Sequence, residues 1–264
     1  MRYCSISSGS KGNCHLIQSE KQTILVDAGG TAKQLACRLA SLDVSLAEVN
    51  AVLITHEHID HIAALDVLSR QCGMKIYANR ATAQAIMRRF PKIAPERFCY
   101  FETGESFYIG ELDIMPFAIS HDAAEPVGYT VYRGLKKITI ATDIGYMTRS
   151  VLEQCRDSHL LVLEANHDEQ MLRSGPYPPS LQRRILGNKG HLSNKSCGET
   201  VSALAGGEIR RLILGQLSQE NNTPQLALDT VRAALSEKGV PLNDLPIDVA
   251  MQDRRGICYD ITRL

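Results

Sequence analysis

The sequence has no net charge, no closely spaced cysteines and no long apolar run. Lysine and arginine total 29, as do aspartate and glutamate, so no overall field indicates a polyanionic partner. The eight cysteines include no C-x-x-C pair, which argues against a disulfide framework and predicts reduced thiols. The first residues lack the apolar stretch of a secretory signal, and no run is long enough to span a bilayer. We therefore expect a cytoplasmic protein without a membrane partner.

Positive charge is nevertheless concentrated locally. The stretches 67–95 and 170–198 contain basic residues and no acidic residue. Such runs are usually solvated helix faces. They therefore do not identify a nucleic-acid site without a second observation.

The order of apolar patterns indicates a mixed α/β fold. Short apolar runs at 23–27 and 51–55 alternate with helical spacing at 31–42 and 59–72. Between residues 97 and 142, glycine turns separate strands that the pattern predicts at 112–120, 127–133 and 137–141. Consecutive strands joined by such turns suggest antiparallel pairing.

The C-terminal half returns to alternating strands and helices. Strands are predicted at 159–164, 211–217, 247–251 and 257–261. Helices are predicted at 180–186, 194–204 and 224–238. Because no linker interrupts this order, we expect one domain over residues 1–264, with two mixed sheets packed together and helices outside.

The strongest chemical signal is an H-x-H-x-D-H motif that directly follows the apolar strand at 51–54. It consists of His56, His58, Asp60 and His61. The two histidines, two residues apart on an extended segment, project to the same side, and the helix that follows presents Asp60 and His61 from another direction. Imidazole and carboxylate groups bind divalent metals, and without a metal they would be hard to satisfy beside an apolar strand. The motif therefore predicts a site for two adjacent metal ions.

Two later clusters, each at the end of a predicted strand, could complete this site. Residues 119–122 include His121, and residues 141–145 include Asp143. A lone histidine or aspartate at a strand end is usually a cap or a turn residue. Here the need of the motif for further ligands favours metal binding.

With these residues the chain resembles the metallo-β-lactamase superfamily, whose members hold one or two metals through H-x-H-x-D-H, a later histidine and a later aspartate. The resemblance covers nearly the whole chain and extends to the YycJ (WalJ/VicX) subfamily. The segments that carry it are 8–13, 25–29, 56–61, 120–122, 142–146, 163–168, 190–194 and 217–222. It implies an α/β (α+β) fold, the four-layer αββα metallo-β-lactamase sandwich, and a metal-dependent hydrolase.

The resemblance also implies two divalent metal ions, zinc or manganese, and a ligand for each. The first ion would be bound by His56, His58 and His121, and the second by Asp60 and His61, with Asp143 bridging both. Asp27 looks like the early aspartate of the superfamily, which orients ligands, or else is a strand-end cap.

One position departs from the superfamily pattern. Gln216 stands where the superfamily usually has a last histidine ligand of the second metal. An amide oxygen is a weaker and harder donor than imidazole. The second site would then be labile, selective for manganese-like or magnesium-like ions, or empty.

Further residues resemble the catalytic machinery of nuclease members. A metal-bound hydroxide would attack a phosphodiester, with Asp60 orienting it. His191 resembles a general acid and Glu164 its carboxylate partner, which would raise the pKa of the imidazolium. Candidate substrate contacts are His167 and the basic residues near His191, where a phosphate backbone would pass: Arg183, Arg184 and Lys195.

Three hypotheses about function follow. Because the YycJ subfamily is associated with 5′-to-3′ DNA exonuclease activity, the first is a metal-dependent phosphodiesterase acting on nucleic acid, DNA rather than RNA. The second is a hydrolase of a small ester, thioester, lactam or cyclic phosphodiester, since the same chemistry attacks acyl carbons. The third, motivated by Gln216, is a non-catalytic nucleic-acid-binding protein with a single metal. The presence of Asp60, Asp143, Glu164 and His191 argues against it, because a structural metal site needs no catalytic pair.

Overall fold

The alternating pattern of the first hundred residues forms a mixed β-sheet. The computed structural model describes residues 1–241 and 245–264. The strands of this sheet are β1 (Arg2–Ser7), β2 (Cys14–Gln18), β3 (Thr23–Val26), β4 (Ala51–Leu53), β5 (Lys75–Ala78), β6 (Phe98–Tyr100) and, near the C-terminus, β14 (Cys258–Asp260). They lie in the order β14-β1-β2-β3-β4-β5-β6. Pairing is antiparallel from β14 to β3 and parallel from β3 to β6.

Helices cover this sheet with apolar side chains. They are α1 (Ala32–Ala40), α2 (Ile59–Ile62), α3 (Leu65–Cys72) and α4 (Arg80–Arg89). Thr31 begins α1 through a capping box with Gln34, which satisfies amide groups that the first turn leaves without partners. Leu35 and Leu39 of α1 are almost completely buried in one cluster with strand residues. Each such leucine contributes about 1.5–3 kcal/mol to the free energy of unfolding.

The helix predicted over 59–72 is interrupted in the structure. It is divided into α2 and α3, with Ala63 and Ala64 between them. The carbonyl oxygens of Asp60 and His61 accept hydrogen bonds from the amides of Asn13 (2.8 Å) and Ala28 (2.7 Å). These two carbonyls therefore face other segments of the chain, and a continuous helical hydrogen-bond ladder is not formed.

The glycine-punctuated middle of the chain forms antiparallel strands, as the sequence predicts. Strands β7 (Phe107–Ile109) and β8 (Leu112–Ala118) pair antiparallel. Strands β9 (Val127–Arg133) and β10 (Lys136–Ala141) also pair antiparallel. Gly134, between β9 and β10, has φ +57°, a conformation that glycine adopts without steric cost.

The C-terminal half continues from β10 with parallel pairing. Its strands β11 (Leu160–Glu164), β12 (Arg211–Gly215) and β13 (Ile247–Val249) give the order β13-β12-β11-β10-β9. The carboxyl ends of β10, β11 and β12 therefore lie at the same edge of the sheet. That edge carries Asp143, Glu164 and Gln216.

Helices of the C-terminal half are α5 (Arg149–Cys155), α6 (Glu169–Ser174), α7 (Pro179–Ile185), α8 (Asn194–Leu204) and α9 (Pro224–Glu237). The helix predicted at 194–204 has these bounds in the structure, and those predicted at 180–186 and 224–238 agree within one residue. Apolar residues of α5, α8 and α9 form one cluster with residues of β11 and β12. Among the described residues, no helix has both the length and the apolar character needed to cross a bilayer.

The chain divides into two compact units, each with a hydrophobic cluster of its own. Unit 1 comprises Met1–Pro116, Ala123–Val127 and Met251–Arg263. Unit 2 comprises Phe117–Asp122, Gly128–Ala250 and Leu264. The organisation as one domain over residues 1–264 stays a prediction.

Candidate metal centre

In unit 1, the segment between β4 and α2 brings the motif histidines together. The rings of His56 and His58 have centroids 4.6 Å apart, and those of His56 and His61 are 4.1 Å apart. His56 and His61 are fully buried. His61 Nε2 lies 3.4 Å from Asp60 Oδ2. Burial raises the pKa of Asp60, but the charge and hydrogen bond of His61, a backbone hydrogen bond and the nearby His58 together lower it to about 2.

Asp27, at the end of β3, fixes the orientation of His61. Its Oδ2 accepts hydrogen bonds from His61 Nδ1 (2.7 Å) and Thr55 Oγ1 (2.8 Å), while its Oδ1 accepts from the Thr55 amide (2.8 Å). Burial raises the pKa of Asp27, and the bonds to His61 and Thr55 oppose that shift. With its Nδ1 proton held by Asp27, His61 can present Nε2 as a ligand, the usual arrangement of a metal-binding histidine and its supporting carboxylate.

Asn13, for which the sequence predicts no role, belongs to this cluster. Its Nδ2 lies 3.1 Å from His61 Nε2 and 3.3 Å from Asp60 Oδ2. Gly29 allows this approach, because a Cβ atom there would lie 1.8 Å from the Asp60 carbonyl oxygen and 2.4 Å from the Asn13 amide. The signal available from the sequence was the position of Asn13 in segment 8–13, which carries part of the family resemblance.

We expect Asp27→Asn to weaken metal binding through His61. The amide keeps the shape of the side chain but loses the charge that holds the imidazole, so affinity should fall about 10- to 100-fold. Stability should fall by about 1–3 kcal/mol, because a buried charge-assisted hydrogen bond is lost. Metal titration and thermal unfolding measure the two effects.

Asp43→Asn is the matched control, since Asp43 also has a left-handed backbone (φ +58°) but is exposed. Equal metal affinity for Asp27→Asn and Asp43→Asn would show that Asp27 does not support a metal ligand.

In unit 2, a second set of possible donors comes from the segments that follow β8 and β10 and from the loop between α7 and α8. His121, Asp143 and His191 each offer a ligand atom within 4.8 Å of the others. His121 Nδ1 lies 3.0 Å from the Gly190 carbonyl oxygen. Because a carbonyl can only accept, Nδ1 carries the proton and Nε2 is the nitrogen that can bind a metal.

Strand-end residues of both units adopt a strained backbone. Asp27, Asp143 and Gln216 have φ values of +63°, +60° and +59° and are three of the five non-glycine residues with positive φ in the described part of the chain. Such conformations cost about 1–3 kcal/mol each and concentrate at functional sites. Asp143 and Gln216 contact one another, because Gln216 Nε2 donates to Asp143 Oδ1 at 2.8 Å.

Glu164 and His191 form the pair expected from the sequence. His191 Nδ1 lies 2.7 Å from Glu164 Oε1, and Glu164 Oε2 accepts from the amides of Ile144 (2.7 Å) and Leu192 (3.1 Å). Glu164 is fully buried, whereas the His191 side chain is 21% exposed. Burial raises the pKa of Glu164, and His191 opposes this shift. The contact with Glu164 therefore holds His191 at Nδ1, while the side chain as a whole stays partly exposed.

The backbone of the loop that carries His191 packs closely against other backbone at two glycines. It connects α7 to α8, as the sequence predicts. A Cβ atom at Gly190 would lie 2.1 Å from the Ile185 carbonyl oxygen, and one at Gly145 would lie 2.2 Å from that of Asn188. Both glycines stand in segments that carry the family resemblance, and close backbone packing explains the requirement for glycine there.

The imidazole of His167 is buried. Its residue is 1% exposed, and neither ring nitrogen has a partner among the described residues. Burial, followed by the nearby His191, lowers its pKa to about 4. The lowered pKa favours the neutral ring, and an unsatisfied buried polar group costs about 1–3 kcal/mol.

The predicted basic contacts are surface residues. Arg183, Arg184 and Lys195 are exposed on α7 and α8, on either side of the loop that carries His191. Arg184 forms an ion pair with Asp122. The three cations therefore lie on the helices before and after the loop that carries His191, and one of them is already engaged by a carboxylate.

The donors in both units fit divalent metal ions. The imidazole nitrogens and carboxylate oxygens found here suit zinc and manganese. Two of the histidines have Nδ1 engaged by an oxygen acceptor, His61 by Asp27 and His121 by Gly190. Such an acceptor fixes the tautomer in which Nε2 is a ligand. The chemistry of the site therefore indicates divalent metal binding.

The family follows from this fold and these donors. A family model described as the beta-lactamase superfamily domain matches residues 22–215. The chain belongs to the metallo-β-lactamase superfamily, and its mixed α/β architecture with two sheets is that of the metallo-β-lactamase fold.

Relatives of known activity match almost the whole chain. Exodeoxyribonuclease WalJ of Streptococcus pneumoniae D39 is 37% identical over 238 residues, covering 89% of this chain and 88% of WalJ. Exodeoxyribonuclease YycJ of Bacillus anthracis is 33% identical over 239 residues, 90% of each chain. The crystal structure of Zn²⁺-bound PqqB from Methylobacterium extorquens has a TM-score of 0.76 at 18% identity, covering 98% of this chain and all of that one. The resemblance to the YycJ subfamily is confirmed.

Proposed function

We propose that this protein is a metal-dependent exodeoxyribonuclease that hydrolyses phosphodiester bonds of DNA. The observation that carries the proposal is the Glu164–His191 pair, 2.7 Å apart and next to the Asp143 carboxylate. A supported histidine suits the protonation of a sugar oxygen, a poor leaving group. The near-full-length similarity to exodeoxyribonucleases WalJ and YycJ supports the same activity and does not favour the alternatives.

We assign the proposed metal ligands from the superfamily pattern. His56, His58 and His121 would hold one ion, and Asp60 and His61 the other, with Asp143 shared. When bound, two such ions lower the pKa of water and neutralise charge that develops on phosphoryl oxygens. Asp60 would be a ligand and would also orient the attacking water. Zinc and manganese are the proposed metals.

His191 would supply the proton that the departing sugar oxygen requires. Glu164 holds His191 Nδ1 and is itself held by the amides of Ile144 and Leu192. Because both carboxylate oxygens have partners, Glu164 cannot turn away, and the imidazole keeps one orientation. The imidazolium is the form of His191 that would donate the proton.

Gln216 is proposed as a weak ligand of the second metal. Its amide nitrogen faces Asp143, and a half-turn of the amide would present the oxygen, since the two ends have nearly the same shape. We expect Gln216→His to tighten binding of the second metal at least about tenfold, because imidazole is the stronger donor. Histidine is also tolerated at positive φ.

Calorimetric titration with zinc and manganese measures this effect. Gln225→His is the matched control, because Gln225 makes the same 2.8 Å amide-to-carboxylate bond, to Asp229, on the exposed face of α9. Unchanged affinity in Gln216→His would show that residue 216 is not a ligand position.

Substrate contacts are proposed for His167, Arg183, Arg184 and Lys195. The two ring nitrogens of His167 could accept a hydrogen bond from a nucleotide or donate one to it. The three cations suit a phosphate backbone. DNA rather than RNA, 5′-to-3′ polarity and a cytoplasmic location belong to the same proposal. One domain spanning residues 1–264 is also proposed.

The experiment that tests this function compares substrate classes. Purified protein with manganese or zinc is given 5′-phosphorylated duplex DNA, RNA of the same sequence, a cyclic phosphodiester and a thioester. Release of mononucleotides from the 5′ end of DNA supports the proposal. Cleavage of the thioester or cyclic phosphodiester without DNA would favour a small-molecule hydrolase, and binding of DNA without any cleavage would favour the non-catalytic alternative.

A further inference from the structure

Cys4 and Cys258 lie directly opposite one another on β1 and β14, the antiparallel strands at one edge of the unit 1 sheet. The Ile261 amide donates to the Met1 carbonyl oxygen at 2.8 Å, which makes Met1 and Ile261 a hydrogen-bonded pair. Hydrogen-bonded and non-hydrogen-bonded pairs alternate along antiparallel strands, so Cys4 and Cys258 form a non-hydrogen-bonded pair. In such a pair the Cα atoms are about 4.5 Å apart, within the range of about 4.4–6.8 Å that a disulfide bridges.

The two thiols differ in exposure and in acidity. Cys4 is fully buried, whereas Cys258 is partly exposed. A hydrogen bond from Cys4 lowers the pKa of Cys258 to about 7 against the effect of burial, and Arg2 and Arg255 add to the lowering. Cys258 is therefore the thiol that can be a thiolate at neutral pH, and a thiolate is the attacking species in disulfide exchange.

We propose that Cys4 and Cys258 are a redox modification site, where a low-molecular-weight disulfide such as oxidised glutathione produces a reversible intramolecular disulfide. Cys258 Sγ attacks one sulfur of that molecule, whose S–S bond breaks, and one small thiol leaves. Cys4, which gives its proton to the small thiolate released in the first step, attacks Cys258 Sγ in the mixed disulfide, and the second small thiol leaves. Two protein thiols are oxidised, one small disulfide is reduced to two thiols, and the two cysteine protons are taken up by the leaving thiolates.

The crosslink would fasten the C-terminal segment to the start of the chain. Residues next to these strands already connect to the loop that carries Asn13, because the Ser8 amide donates to the Met251 carbonyl oxygen (3.0 Å) and the Lys11 amide to Gln252 Oε1 (2.9 Å). A disulfide between positions so distant in sequence restricts the unfolded chain. We therefore expect the oxidised protein to have a Tm higher by about 5 °C or more.

The test uses the full chain with its metals as purified, first reduced and then incubated with oxidised glutathione. Remaining thiols are alkylated, and trypsin separates peptide 3–11, with Cys4, from peptide 256–263, with Cys258. We expect these two peptides joined by a disulfide, which reductant separates, together with the rise in Tm. The wild-type protein gives this result without any substitution, so it does not depend on the folding of a variant.

Two variants complete the test. Cys37→Ser removes an exposed thiol and should leave both the crosslink and the Tm rise unchanged, whereas Cys258→Ser should abolish both. Glutathione attached to Cys258 or Cys37 without the joined peptides would overturn the proposal. Equal Tm values for the oxidised and reduced proteins, with the crosslink present, would overturn the expected fastening of the C-terminal segment.

Discussion

His58→Ala is expected to abolish DNA hydrolysis while leaving the protein folded. Loss of an imidazole ligand should remove or displace a metal ion whose charge is worth several kcal/mol in the transition state. About 4 kcal/mol corresponds to a loss of about 1,000-fold in kcat. His58 precedes α2 in an extended conformation, and its side chain does not cap that helix. The free energy of unfolding of the metal-free protein should therefore change by less than about 1 kcal/mol.

The measurements are kcat on duplex DNA, metal content by mass spectrometry and chemical unfolding after chelation. Ile59→Ala is the matched control, because Ile59 is the next residue and is 46% exposed. It should keep nearly full activity. A His58→Ala protein that is folded, has lost no metal and still cleaves DNA at the wild-type rate would remove His58 from the site.

His191→Ala is expected to slow DNA cleavage by about 100- to 10,000-fold, the contribution typical of a general acid. The loss should nearly disappear with bis(p-nitrophenyl) phosphate, because p-nitrophenolate leaves without a proton. Metal content should not change, since His191 is proposed as a proton donor and not as a ligand. Glu164→Gln should show the same dependence on the leaving group with a smaller loss, because it leaves the imidazole in place.

His159→Gln is the control for these variants. His159 precedes β11, at the opposite end of that strand from Glu164, and its Nδ1 accepts a bond from the Lys137 amide. It should be active on both substrates. Full activity of His191→Ala on DNA, or an equal loss on both substrates, would contradict the role of general acid.

The fold could be predicted from the sequence where the local residue pattern and the tertiary contacts favour the same secondary structure. Helix α8 has its predicted bounds because Ser193 caps it and its apolar spacing matches the buried face. The prediction of one continuous helix over 59–72 was wrong. The amides of Asn13 and Ala28, which are distant in the sequence, donate hydrogen bonds to the carbonyl oxygens of Asp60 and His61. Hydrogen bonds from distant segments leave no periodic signal.

The site was predictable to the extent that its residues are chemically unusual. The close spacing of histidines and aspartates made the candidate donors of unit 1 recognisable in the sequence, and their positions at strand ends made His121 and Asp143 candidates as well. The place of Asn13 in the site could not be predicted, because a single asparagine has many structural uses. The contacts of Gly29 and Gly190 were equally hidden, since they depend on segments brought together by folding. The 2.8 Å hydrogen bond from Gln216 to Asp143 likewise cannot be recognised in the sequence, because the two residues meet only in the folded chain.

The most direct test of the account measures the release of mononucleotides from 5′-phosphorylated duplex DNA by purified protein. The protein is first stripped with a chelator and then given manganese or zinc, with His58→Ala treated in parallel. We expect no release without metal, release when metal is restored, and none from His58→Ala. Release that is unaffected by chelation, or no release with either metal from a protein that binds both, would contradict it.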